Sequence, residues 1–256
     1  MDWETLLVEG IETLRQKDAC IDSLISPRSE EIIPLLVRYI KEIELFNPAY
    51  GLVKVNDTKE LVIRHILDSL SPLGIISRLL AETDAQKIAD AGSGAGLPGI
   101  PLAIAMPNCG FTLIERMGRR AGFLWNTKAA LGLSNITVEE NELEKTAPGR
   151  FALVTFRAFK PLEPKLLKTL FNACACGGII AAYKGRHEKI ELEMSPLIKS
   201  GIQKSGELSS GHLPNELSSG VSASGGWWKT IPYSVPFLDE ERHLLVIKQT
   251  ALTKPE

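Results

Sequence analysis

The sequence predicts an α/β fold, a doubly wound and mostly parallel sheet with an antiparallel last strand, preceded by a helical extension. Three observations lead there. From Lys87 onward short apolar strands alternate with helical stretches, the rhythm of βαβ units. A glycine-rich turn joins the first strand to its helix. Two final apolar runs, Lys229 to Val235 and His243 to Lys248, are separated only by a turn at Phe237-Leu238-Asp239-Glu240, so they read as an antiparallel hairpin at one edge.

Residues 1–84 read as helices forming an extension or cap. Trp3, Leu6, Leu7, Ile11 and Leu14 recur at spacings of three and four, and the run Ile32 to Leu45 repeats the pattern with Lys41, Glu42 and Glu44 on the wet side. Ser26-Pro27-Arg28-Ser29-Glu30 is a break and restart between them. A third helix is expected from about Glu60 to Leu80. Residues 85–250 then form the α/β domain. Its strands are expected at Lys87 to Ala91, Gly110 to Glu115, Ile136 to Glu139, Phe151 to Phe156 and Gly178 to Lys184. Helices are expected after the glycine turn and at Arg119 to Leu131, Lys165 to Ala175 and His187 to Ser200. Residues 205–226 are rich in Ser and Gly and read as a mobile loop.

With 256 residues, 44 % of them hydrophobic, the chain holds too much apolar matter for a linker or a disordered tail. Its longest apolar stretch, Leu97 to Met106, is about half the ~20 residues a bilayer needs and carries two prolines, so no membrane span is expected. The acidic start Met1-Asp2-Trp3-Glu4 is unlike a signal peptide, and a cytoplasmic protein is expected. Cys20, Cys109, Cys174 and Cys176 include no Cys-x-x-Cys pair and are read as buried, inert thiols. The four histidines show no metal-ligand spacing, so no metal is expected. Charge is uneven along the chain. Residues 1–60 hold twelve acids against seven bases, whereas residues 116–189 hold thirteen bases against six acids, a segment suited to an anionic partner.

The informative stretch is Asp90-Ala91-Gly92-Ser93-Gly94-Ala95-Gly96-Leu97-Pro98-Gly99-Ile100-Pro101. It follows a strand and precedes an apolar helix, the setting that makes a glycine pattern a nucleotide-binding loop. Glycines let a ligand approach without meeting a Cβ. Pro98 and Pro101 fall in the first helical turn, where a missing amide hydrogen costs nothing. Two cofactors compete. Gly94-Ala95-Gly96-Leu97-Pro98-Gly99 fits the dinucleotide pattern, which seats a pyrophosphate on the helix N-terminus. Asp90-x-Gly92-x-Gly94-x-Gly96 fits the S-adenosylmethionine pattern. A carboxylate at Asp90 repels a pyrophosphate but suits a ligand with an amino group and a sulfonium, so the methyl donor fits better. Glu115, about twenty residues past the loop, suits the ribose hydroxyls of either cofactor. The antiparallel final hairpin favours a methyltransferase over a dehydrogenase half.

At this point the sequence resembles a family, RsmG, also called glucose-inhibited division protein B. The resemblance is carried by Asp90 to Ile104, Arg64-His65-Ile66-Leu67-Asp68-Ser69-Leu70, Arg157-Ala158-Phe159 and Glu241-Arg242-His243-Leu244-Leu245-Val246-Ile247-Lys248, and it spans roughly residues 30–250. It implies a class I S-adenosylmethionine-dependent methyltransferase, Rossmann-like, with a seven-stranded sheet. The implied reaction moves a methyl group to the position-seven nitrogen of a guanine in small-subunit ribosomal RNA, as naked RNA or a 30S particle, by a monomer. It places Gly92, Gly94 and Leu97 against the donor, Glu115 on its ribose, Glu142 and Leu143 beside its adenine, and Arg157 at the reacting centre. Asn47, His65, Arg119 and Arg120 are substrate-side candidates. The bland alternatives for His65 and Asp68 are a cap or a pair on one helix face. Arg157 is different, since a lone arginine ending an apolar strand needs a charged partner. The chain departs from the family after the third strand, where Asn141-Glu142-Leu143-Glu144 lacks the usual arginine, and at Pro48, where leucine is usual. The position-seven nitrogen carries a lone pair and no proton, so no general base is required. Two rivals stay open: an NAD-dependent oxidoreductase, which needs a proton-relay residue after the fourth strand, and a non-catalytic RNA-binding protein on the same fold.

Overall fold

The computed structural model describes residues 1–83, 86–158, 161–198, 202–204 and 226–249. The helical extension begins with α1 (Trp3–Lys17), capped by the Asp2 side chain, and α2 (Ala19–Ile25), capped by Asp18. A 3-10 turn at Ser26–Arg28 makes the expected break, and α3 (Ser29–Tyr50) runs past Leu45 until Gly51, at φ 59°, ends it. The expected third helix is in pieces. Asp57 caps α4 (Thr58–Leu61), which widens into a π-helical stretch at Val62–Leu67, resumes as α5 (Asp68–Leu70) and restarts after Pro72 as α6 (Leu73–Ala81). Proline has no N–H to continue the ladder, which explains the restart.

The sheet follows the expected alternation. Its elements are β1 (Lys87–Ala91), α7 (Gly99–Ala105), β2 (Gly110–Ile114), α8 (Gly118–Leu131), β3 (Ile136–Glu139), β4 (Phe151–Arg157), α9 (Pro164–Ala173), β5 (Cys174–Lys184) and α10 (His187–Ile198). A short β6 (Ile202–Lys204) precedes the final hairpin of β7 (Gly226–Tyr233) and β8 (Arg242–Gln249). The strand order is β3-β2-β1-β4-β5-β8-β7-β6, so the seven expected strands gain a short eighth at the edge. β8 pairs antiparallel with both β5 and β7, and every other pairing is parallel. Of the expected loop at 205–226, all but Gly226, which starts β7, lies outside the described residues.

Side chains alternate across the sheet. Ile88, Leu113, Leu153, Ala181 and Val246 join one core with the N-terminal helices, α7 and α8. Ala89, Ile114, Val154, Ala182 and Leu245 join a second with α9 and α10. Because the period is two, Asp90, Arg157 and Tyr183 fall on the first face, under the N-terminal helices. They also fall at the strands' carboxyl ends. Strand order reverses between β1 and β4, which makes this edge the place where open α/β sheets bind ligands. No described helix is long and apolar enough to cross a membrane. One reading is corrected: Cys176 is exposed, whereas Cys109 and Cys174 are buried and Cys20 is half-buried.

Candidate active site

The loop after β1 is shaped by three glycines with left-handed backbone, Gly92 at φ 67°, Gly94 at φ 59° and Gly96 at φ 91°. A branched residue is strained in that region, so the glycines serve the turn as well as any ligand. At Gly94 the second role is visible, for an added Cβ would meet nothing nearer than the Gly92 oxygen at 3.9 Å. The open space over Gly94 is where a ligand can lie on bare backbone.

Two buried carboxylates hold this loop from either side. The Asp90 Oδ2 accepts from the Ser93 hydroxyl at 2.7 Å and from the Gly99 N–H at 3.0 Å, fastening the start of α7 to β1. An added Cβ on Gly99 would sit 2.7 Å from that oxygen, so only glycine permits the contact. The reading of Asp90 as a group simply offered to a ligand is thus refined: one oxygen is a strut. Its other oxygen, Oδ1, is buried with no hydrogen-bond partner among the described residues, an acceptor left open. Burial pushes the Asp90 carboxyl up to about 6, against the opposing pull of Ser93, Gly99 and Arg157. Glu115, also buried, accepts from the Gly94 N–H through Oε2 and the Met117 N–H through Oε1, both at 2.9 Å. Each carboxylate oxygen has two lone pairs, so Glu115 keeps capacity for a hydroxyl donor. From the helical layer the buried Tyr39 hydroxyl donates to the Ala95 carbonyl at 2.7 Å.

Arg157, the last residue of β4, reaches into the π-helical stretch. Its Nη1 donates to the Arg64 carbonyl at 2.8 Å and to the Asp68 carboxylate at 3.1 Å, and its Nη2 meets His65 Nδ1 at 2.6 Å. A guanidinium only donates, so His65 Nδ1 is the acceptor and the ring is neutral. Burial, reinforced by the cations Arg157, Arg64 and Arg242, pushes His65 down to about 3. These three contacts use three of the five guanidinium N–H groups. Asp68 is the hub beneath: its Oδ1 accepts from the Tyr233 hydroxyl at 3.0 Å and pairs with Arg242 at 3.5 Å. The Tyr183 hydroxyl donates to the adjacent Ser69 carbonyl at 2.8 Å. Two sequence motifs separated by about ninety residues therefore close on one another.

The remaining expected residues divide. The side chains of Leu97 and Leu143 pack into the two cores, which leaves only their backbone to face a ligand. Glu142 is exposed and lines a cavity of about 380 Å³ with Arg116, Met117, Glu140, Asn141 and Lys145, adjoining Glu115. Asn47 spends its amide oxygen on the Val53 N–H at 2.9 Å, closing the turn after α3. Arg119 and Arg120 reach the carbonyls of Ala49 and Gly51 at 3.5 and 3.2 Å, where cations suit a helix C-terminus. Each thus has an architectural contact besides any partner.

Sequence reasoning gave no role to Tyr39, Tyr183, Tyr233 or Arg242. Burial pushes all three phenols up, which keeps them neutral donors. Arg242 carried the same signal as Arg157, an arginine bordering an apolar strand. Tyr39 carried none, because a helical tyrosine among apolar residues looks like core. Among the described residues no group of three or more His, Cys, Asp or Glu could hold a metal ion.

The fold and this glycine loop define an S-adenosylmethionine-dependent methyltransferase. A putative S-adenosyl-L-methionine-dependent methyltransferase from Methanococcus maripaludis shares the fold with a TM-score of 0.51, at 14 % identity, over 82 % of this chain and 92 % of that one. The family model described as rRNA small subunit methyltransferase G matches residues 32–206. The ribosomal RNA small subunit methyltransferase G of Treponema pallidum is 35 % identical over 255 residues, 98 % of this chain and 96 % of its own length. That of Cellvibrio japonicus is 42 % identical over 158 residues, 61 % of this chain and 71 % of its own length. The chain belongs to the rRNA small subunit methyltransferase G family.

Proposed function

We propose that the protein methylates the position-seven nitrogen of a guanine in small-subunit ribosomal RNA, within the cleft between the glycine loop and Arg157. The observation that carries this reading is the Arg157 guanidinium. It is held by Arg64, His65 and Asp68 at the carboxyl end of β4, and two of its N–H groups have no partner among the described residues.

The residues fit the methyl donor. Gly94 leaves room on its backbone, Asp90 Oδ1 is a buried acceptor without a donor, and Glu115 has spare lone pairs. Gly92, Gly94 and the Leu97 backbone would hold S-adenosylmethionine, with Glu115 toward its ribose and Glu142 and Leu143 toward its adenine. When bound, S-adenosylmethionine supplies a methyl group on a positively charged sulfur. The protein's own contribution is placement. Asp68 and His65 fix the plane of Arg157, which orients the guanine or the donor carboxylate by a two-pronged contact. No side chain needs to remove a proton, and the His65 Nδ1 lone pair is spent on Arg157. Exposed cations along 116–189, among them Arg116, Arg119, Arg186 and Lys189, support phosphate contacts to the RNA, free or within the small subunit.

Thermal stabilisation tests the cofactor. S-adenosylmethionine should raise the melting temperature in proportion to the logarithm of its concentration, while NAD should not. Stabilisation by NAD alone would return the loop to the dinucleotide reading.

A further inference from the structure

The connection between β7 and β8 holds a residue that placement of the guanine does not require. Phe237 has φ 64° and its side chain is 49 % exposed. The left-handed region is costly for a bulky residue, and a ring left in water forfeits the burial that ordinarily offsets such a cost. Among the described residues only one other non-glycine, Ala158, has a positive φ. Ala158 directly follows Arg157. Since β7 runs parallel to β5, its connection to β8 lies on the same carboxyl edge of the sheet.

The turn is fastened on both sides of the ring. The Leu238 N–H donates to the Val235 carbonyl at 3.2 Å, and Val235 is buried. Glu240 reaches Arg64 at 2.6 Å and Arg242 at 3.1 Å, while Glu241 accepts from the His187 N–H at 3.1 Å. Strain that persists in so over-determined a turn is the pattern of a binding site.

A cavity of about 670 Å³ adjoins the turn, lined by Asp239, Glu240, Glu241 and Arg242 together with Arg186, Lys189 and the Lys184–Glu193 pair. Lys184 is paired with Glu193, and Arg242 with Asp68 and Glu240. Arg186 and Lys189 are exposed and have no ion-pair partner among the described residues. Exposed cations in a cavity that begins two residues past an exposed ring match a single-stranded nucleotide, with its base on the ring and its phosphate on the cations.

We infer that Phe237 is a stacking platform for a base neighbouring the reactive guanine, with Arg186 and Lys189 taking the adjoining phosphate. The inference rests on the function proposed above. Where the enzyme draws the reactive guanine from its stack, the neighbouring base loses a partner that the ring replaces.

The test uses the full-length protein with Phe237→Gly, Phe237→Trp and the pair Arg186→Gln/Lys189→Gln. Melting temperature, S-adenosylmethionine affinity, small-subunit RNA binding and the KM for that RNA are read for each. Phe237→Gly should keep or raise the melting temperature, because glycine accepts the left-handed backbone, and should leave donor affinity unchanged. Its KM and Kd for RNA should rise about ten-fold, and Phe237→Trp should restore both. The cation pair should weaken binding and reduce its salt dependence. A Phe237→Gly protein that melts earlier but binds RNA normally would make the ring a packing residue and overturn the inference. Should the wild-type protein bind small-subunit RNA without methylating it, while Phe237→Gly weakens that binding, the stacking role stands and the proposed reaction falls.

Discussion

Arg157 shows how a single side chain acquires a role from its surroundings. It ends a strand whose other residues are buried, so its charge must be compensated, and the structure supplies Asp68, the Arg64 carbonyl and neutral His65. A planar fork satisfies all three at once, and a lysine ammonium does not present that fork. Arg157→Lys should therefore fold, with a melting temperature within a few degrees of wild type, yet lose on the order of ten- to a thousand-fold in methyl transfer. Arg157→Ala leaves Asp68 to Tyr233 and Arg242, so it should fold as well and lose at least as much activity. Full activity in the lysine variant would remove the positioning role; an alanine variant that fails to fold would make Arg157 structural. The sequence already pointed to Arg157 as a charge needing a partner. Its actual partners were legible only as a motif, since nothing in a linear pattern says that residues 64–68 lie over the end of β4.

At the scale of elements, the π-helical stretch Val62–Leu67 is the device that makes this contact. A widened turn releases backbone carbonyls from the regular ladder, and the Arg64 carbonyl is used by Arg157. Apolar periodicity predicted one continuous helix here, because a π stretch shifts register without changing composition. The glycine loop was far more legible, for glycines, prolines and a preceding acid are each demanded by local backbone geometry. Within the stretch, His65 should act as a positioning residue. His65→Gln keeps an acceptor for Arg157 and should retain most turnover, whereas His65→Leu should lower kcat about ten-fold with donor affinity unchanged. The pH dependence carries a second signature. Because the folded pKa, about 3, lies below the unfolded 6.5, His65 contributes stability above pH 6.5 that is lost as pH falls toward 3. The wild-type protein should accordingly lose stability relative to His65→Gln on acidification through that window. Equal slopes for the two proteins would mean that His65 is protonated in the folded state.

For the whole molecule, the N-terminal helices and the sheet form one continuous core, so the site is assembled between layers and not within one of them. The mostly parallel sheet and the antiparallel last strand followed from alternation and from the closeness of the last two strands. How the helices lie on the sheet did not, because helix packing depends on shapes that composition conceals. The charge gradient belongs to this scale too. Although the net charge is −2, residues 116–189 carry thirteen bases against six acids, and Arg116, Arg119, Arg186 and Lys189 among them are exposed. RNA affinity should consequently fall steeply and linearly on a log–log plot against salt, as counterion release requires, while donor affinity stays nearly flat. An RNA affinity unchanged between low and moderate salt would make these residues ordinary solvated surface. Charge reversal at Arg120 is the wrong test of this point, because it would set an acid against the carbonyl end of α3.

Delivery of a methyl group to the position-seven nitrogen of a guanine, in the cleft between the glycine loop and Arg157, is the step to measure. Its most direct measurement is mass spectrometry of nucleosides from small-subunit RNA incubated with the purified protein and isotopically labelled S-adenosylmethionine. Label should appear in 7-methylguanosine with the wild-type protein, with a severe loss of that signal in Arg157→Ala. Label on a ribose, on another ring nitrogen or on an exocyclic amine would contradict it, as would undiminished 7-methylguanosine from the alanine variant.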